Sequence, residues 1–93
     1  MKRKSILAQC NEEHTFVLKN GQKLSSLFDL ADSLESMESD VFAHHVNESR
    51  NDFSTWIKDI YQENGLADQV GQKRDKKEMQ LDILKALVSQ IKH

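Results

Sequence analysis

The residue types best suited to chemistry lie together in one stretch, Phe42 to Ile57. His44 and His45 stand side by side, Asn47 follows, then Asn51 and Asp52, and the only tryptophan, Trp56, comes near the end. A histidine beside an acid is the minimum equipment for general acid–base catalysis. Here a histidine of the pair with Asp52 or Glu48 would supply it, and Ser49, Ser54 and Thr55 are the nearby hydroxyls; Cys10 is distant. Three features weigh against such a reaction. No glycine-rich loop offers oxyanion donors, 93 residues leave little room for a substrate cleft, and Asp52 is more simply a helix cap. Cys10 has no resolving cysteine and no local positive setting to activate it. No catalytic residue is assigned, and an enzyme is the weaker expectation.

Metal binding would draw on His14, His44, His45, His93 and Cys10. A zinc site needs three or four convergent ligands, and no Cys-x-x-Cys or His-x-x-x-His pair occurs. On a helix, adjacent His44 and His45 point about 100° apart. His44 with Asp40 or Glu48 gives two ligands and no third. A structural histidine, hydrogen-bonded to a helix terminus or backbone, is the better reading. No metal or cofactor is expected.

Trp56 and Tyr61 could anchor a partner, but both fall on a helical stripe with Phe53, Ile57 and Ile60, so core packing explains them better. A buried indole N–H needs an acceptor, and a side-chain amide or histidine of the preceding loop would serve. His44, His45, Asn47, Asn51, Asp52 and Trp56 therefore read as a polar lock between successive helices, with a binding or catalytic site as the alternative.

Lys73, Arg74, Lys76 and Lys77 form the one notable basic run, a candidate patch for an anionic partner. Cations near a helix N-terminus oppose its dipole, which invites that reading. A solvated linker is the commoner explanation, and without interleaved aromatics the run is a weak nucleic-acid signal. Charge is unevenly spread. Residues 1–4 carry +3, residues 25–68 carry ten acids and two bases, and residues 69–93 carry six bases and three acids, for a net charge of −2 overall. An acidic middle would repel phosphate.

The totals frame the elements that must position these residues. Hydrophobic content of 38% and charged content of 30% fit one small globular domain with a modest core. Zero prolines and three glycines favour long helices with brief connections. No apolar run approaches bilayer-spanning length, and the three-residue apolar stretch after the basic start is too short for a secretory signal. A single cysteine suits a reducing cytosol.

Residues 1–13 form an N-terminal arm in which fraying is the default. His14 to Leu18 is β-prone, Asn20-Gly21 is a strong hairpin turn, and Gln22-Lys23-Leu24 returns. Phe16, Leu18 and Leu24 then pack on helices. Ser25 or Ser26 caps the first helix with Asp29 as the reciprocal acid; Leu27, Phe28, Leu30, Ala31, Leu34 and Met37 form its apolar face, and Asp29, Asp32, Glu35 and Glu38 its solvated one. Ser39-Asp40 starts a short helix with Val41, Phe42, His45 and Val46 on one face. Asn51 or Asp52 caps a third, which Asn64-Gly65 ends in the left-handed manner. Leu66 to Val70 is a brief apolar turn or helix. Asp75 caps the last helix, whose buried face is Met79, Ile83, Leu84, Leu87, Val88 and Ile91, with Leu81 an outlier.

The run His45-Val46-Asn47, three residues, then Asn51-Asp52-Phe53-Ser54-x-Trp56-Ile57 resembles the signature of a small prokaryotic helical domain family of unknown function. Phe16-x-Leu18-x-x-Gly21 and Leu24-x-x-Leu27-x-x-Leu30-Ala31-x-x-Leu34 are similar to that family's opening, so the likeness covers about residues 14–68. It implies a hairpin entry and a compact helical domain, with no activity to transfer.

The expected fold is mainly α: a compact orthogonal bundle of four to five helices preceded by a short β-hairpin, with residues 14–93 as a single helical domain. The expected function is a non-enzymatic cytoplasmic interaction or adaptor module, with a protein partner or self-association, no membrane, and nucleic acid disfavoured. The alternatives are a small enzyme or ligand-binding protein using His45, Asn47 and Asp52, and then nucleic-acid binding through residues 73–77.

Overall fold

A computed structural model describes residues 5–92. His93 and the basic start, residues 1–4, lie outside the described residues. The protein is a mainly α bundle with a two-stranded antiparallel hairpin ahead of the helices.

The hairpin pairs β1 (Phe16–Val17) with β2 (Lys23–Leu24), Phe16 opposite Leu24. Its turn needs Gly21, whose φ of 93° lies where side-chain-bearing residues are strained. Leu18 and Leu24 are buried, and Phe16 packs against the rings of His45, Phe53 and Trp56. Two strands so short are not stable alone, so this aromatic seat is what holds them. Residues 5–13 run back across the bundle with Ile6 and Cys10 buried, and the Cys10 amide donates to the Ser25 carbonyl at 2.8 Å.

Helix α1 (Leu27–Ser36) begins with the expected cap: Ser26 Oγ accepts the Asp29 N–H at 3.0 Å, and Asp29 Oδ2 accepts from the Ser25 amide and hydroxyl. Leu27, Leu30, Ala31 and Leu34 are buried, but Phe28 is 43% exposed, because it sits about 100° round the helix from Leu27. Helix α2 (Ser39–His45) buries Val41, Phe42 and His45. Its N-cap is Glu38 with no side-chain cap bond, rather than Ser39 or Asp40, which already lie inside the helix.

Helix α3 (Asp52–Trp56) is capped by Asn51 and runs into a π-helical turn, Ile57–Tyr61. Asn64-Gly65 does not end it. The wider turn closes at Gln62, a left-handed residue with φ 57°, whose N–H reaches the Lys58 carbonyl at 3.0 Å. Asn64 instead opens helix α4 (Asn64–Gly71), which brings Leu66, Ala67 and Val70 into the core.

Helix α5 (Lys76–Lys92) starts at Asp75, whose Oδ1 accepts the Lys77 N–H at 2.7 Å and the Glu78 N–H at 3.4 Å. It packs on α1 and α4. The core-facing seam is narrower than its apolar residues suggested. Met79, Ile83 and Leu87, spaced four apart, are buried, whereas Leu84, Val88 and Ile91 are 42%, 50% and 62% exposed, and Leu81 is 51% exposed. A small bundle covers one side of its last helix, so the second apolar seam, turned away from Ile83, stays on the surface.

Candidate functional site

The 42–57 stretch folds as helix, tight turn, helix. Val46 and Asn51 form an isolated antiparallel bridge, and Asn47 and Arg50 exchange backbone hydrogen bonds across the turn, at 2.9 and 3.3 Å. Asn47 serves the turn and the helix end before it: Oδ1 accepts the Ser49 N–H at 2.9 Å, and Nδ2 donates to the Ala43 carbonyl at 3.2 Å. Its side-chain bonds stay local and do not bridge to the next helix.

His45 is the bridge. It is buried at 5% exposure on the last turn of α2. Its Nε2 accepts the Lys19 backbone N–H at 3.0 Å, so that nitrogen is bare and the ring proton belongs on Nδ1. Nδ1–H then donates to Asp52 Oδ2, also at 3.0 Å. Arg50 Nε lies 3.5 Å from the same carboxylate oxygen. One imidazole thereby ties three elements: the hairpin loop, α2 and the first turn of α3. Both ring nitrogens are engaged in internal hydrogen bonds.

Asn51 joins the other side of α3 to α4. Its Oδ1 accepts the Ser54 N–H at 3.1 Å, and its Nδ2 donates to the Val70 carbonyl at 2.9 Å. Ser54 completes that seam by donating from Oγ to the Ala67 carbonyl at 2.7 Å. Gly71 belongs to the same contact, since a Cβ there would sit 3.0 Å from Ser54 Oγ. Thr55 Oγ1 donates within its own helix, to the Asn51 carbonyl. Both hydroxyls are thus bonded to main-chain carbonyls.

Trp56 has the partner a buried indole needs, but that partner is neither a side-chain amide nor an imidazole. Nε1–H donates at 2.8 Å to the main-chain carbonyl of His14, just before the hairpin. Tyr61 does the same for the arm, donating from its hydroxyl to the Ala8 carbonyl at 3.0 Å. Burial, followed by the nearby Cys10 and Asp29, pushes the Tyr61 phenol well above its ordinary pKa.

His44 faces outward, with its ring edge-on to His45 at 4.7 Å. Its carbonyl accepts from Arg50 Nη2 at 2.7 Å. Desolvation by surrounding atoms, then the neighbouring His45 imidazole and the positive charges of Arg50 and Lys19, hold its imidazole below the ordinary value. Its Asp40 neighbour lies instead 4.0 Å from Lys19 Nζ. Among the described residues, no three of His, Cys, Asp and Glu converge to hold a metal ion.

The basic run is largely bound to the protein itself. Lys73 Nζ pairs with Asp82 at 2.6 Å, Arg74 donates to the Asn47 carbonyl, and Lys76 donates to the Met37 carbonyl at 2.5 Å. Lys77 is exposed.

The protein matches no family model, no curated protein and no solved structure in the comparisons made. Function must be read from the surface that the bonded interior holds in place.

That surface includes an exposed apolar seam on α5. Leu81, Leu84, Val88 and Ile91 are spaced three, four and three apart, the spacing of a helix–helix seam. Leu81, Leu84 and Val88 border an open groove of about 450 Å³ lined also by Lys85, Ser89 and Lys92. Among the described residues, no helix is long and apolar enough to cross a membrane.

Proposed function

We propose that this protein is a non-enzymatic protein-interaction or adaptor module whose working surface is the outer face of α5. The observation that carries the reading is the exposed Leu81/Leu84/Val88/Ile91 seam on a long, regular helix. Contiguous exposed apolar surface rimmed by polar residues is characteristic of interaction sites. The 42–57 stretch then supplies the rigid scaffold. Against the enzyme or ligand-binding alternative stands the use of His45, Asn47 and Asp52 in internal hydrogen bonds. Against nucleic-acid binding stands the internal bonding of Lys73, Arg74 and Lys76. Unchanged mobility of the protein with excess duplex or single-stranded nucleic acid at low salt would remove that third reading.

A cytoplasmic setting accords with the single cysteine, which is buried. We also propose kinship with the family whose signature the sequence resembles; in this chain the signature polar residues His45, Asn47, Asn51, Asp52 and Trp56 each make an internal bond.

The test is affinity capture from native lysate with the wild type beside Leu84→Asp/Val88→Asp. These positions are exposed, so the double variant should fold. The reading expects proteins retained by the wild type and lost with the variant. Equal capture by both, or none by either from a protein that is also monomeric at every concentration, contradicts it.

A further inference from the structure

Resting on that reading of α5, we infer that the occupant of its apolar face is a second copy of this chain, with the two α5 helices side by side and parallel. The inference comes from the flanks of the seam. At 100° per residue, the order round α5 is Gln80, Ile91, Leu84, Val88, Leu81, Lys92, Lys85. Gln80 marks the α1 side, because its Nε2 donates to the Ala31 carbonyl at 2.8 Å and to Glu35 Oε1 at 3.1 Å. On that side stand Phe28, Asp32 and Glu35, all exposed. On the other stand Lys85 and Lys92, with exposed Glu78 two turns before Lys85 at the start of the helix. An apolar seam thus runs between an acidic edge and a basic edge.

A two-fold interface must be complementary to itself. In an antiparallel pair, the axis crosses the helices and brings like edges together, lysine facing lysine and acid facing acid. In a parallel pair, the axis runs along the helices and exchanges the edges. Lys85 of each copy then approaches Asp32 and Glu35 of the other, while Leu81, Leu84, Val88 and Ile91 each meet their own counterparts. The spacing of the four apolar residues is that of such a seam. One helical edge of each chain makes a small interface, so association is weak, concentration-dependent and sensitive to salt.

Sedimentation equilibrium of the purified protein tests this without any other partner. The expected result is a mass that rises from monomer towards dimer with concentration and falls at high salt. Leu84→Asp/Val88→Asp should abolish the rise. Lys85→Glu should weaken association about tenfold, and Asp32→Lys/Glu35→Lys added to it should restore association. In a Cys10→Ser background, Val88→Cys should cross-link to itself on mild oxidation. A monomer at every concentration, or a dimer indifferent to Leu84→Asp/Val88→Asp, overturns the inference. So does cross-linking only between Leu84→Cys and Val88→Cys chains, which marks an antiparallel pair. A strictly monomeric protein that still loses lysate partners through its α5 variants would leave the interaction reading intact and remove only the second copy.

Discussion

The buried imidazole of His45 donates to the carboxylate of Asp52 at 3.0 Å, across the tight turn that separates α2 from α3. A histidine–acid pair of this kind invites a catalytic reading until the other ring nitrogen is followed. That nitrogen accepts the Lys19 amide, so the pair fastens the hairpin to the helices.

Removing the acid should therefore be felt as lost stability. Asp52→Ala leaves the buried Nδ1–H without its acceptor, a change that costs about 1–3 kcal/mol. Asp52→Asn keeps an accepting oxygen and should cost less. Denaturant unfolding followed by the fluorescence of Trp56, the only tryptophan, gives both values. An Asp52→Ala midpoint equal to wild type would show that the bond contributes nothing.

Asn51 makes two separable bonds, one capping α3 and one holding the end of α4. Serine keeps an N-cap oxygen but is too short to donate to Val70. Stability should fall in the order Asn51, Asn51→Ser, Asn51→Ala, with steps of about 1 kcal/mol each. Chemical denaturation of the three proteins checks the order. Equal stability of the serine and alanine variants would remove the cap from the account.

Tyr61 and Trp56 hold the chain before and within the approach to the hairpin through the Ala8 and His14 carbonyls. Tyr61→Phe should speed proteolytic cleavage near residues 5–10 and lower stability by about 1 kcal/mol, with the helices unchanged by circular dichroism. Cleavage at the wild-type rate would place the anchor elsewhere, in the buried Ile6 and Cys10.

The same phenol sets a limit in base. Its folded pKa lies above the ordinary 10.0, so the folded protein keeps a proton that the unfolded chain releases. The associated stability is fully present below pH 10 and is lost as pH rises from there through the folded value. Because Tyr61 is the only tyrosine, tyrosinate absorbance reports it alone. Ionisation should be delayed beyond the ordinary range and coincide with unfolding. Free titration near 10 in a folded protein would contradict its burial.

How much of this was legible in the sequence depended on distance along the chain. The Ser26 cap, the Asn20-Gly21 turn and the choice of Asn51 or Asp52 as a cap are set by residues two to four positions apart, where side-chain type and spacing carry the information. The long-range bonds of the 42–57 stretch end on backbone groups. Trp56 reaches a carbonyl 42 residues away, His45 an amide 26 away and Asn51 a carbonyl 19 away. A main-chain group is the same at every position, so no residue type announces it. Helix α5 failed for another reason. Its apolar residues make two seams, and periodicity alone does not say which one the bundle covers.

The fastening of the hairpin to Asp52 through His45 is read out at Lys19. Its amide N–H is the donor to His45 Nε2, and it lies far from residue 52 in the chain. Hydrogen exchange at Lys19 should be slow in the wild type and much faster in Asp52→Ala, by more than any change at amides inside α5. Unchanged protection at Lys19, or a loss no greater than that in α5, would contradict it.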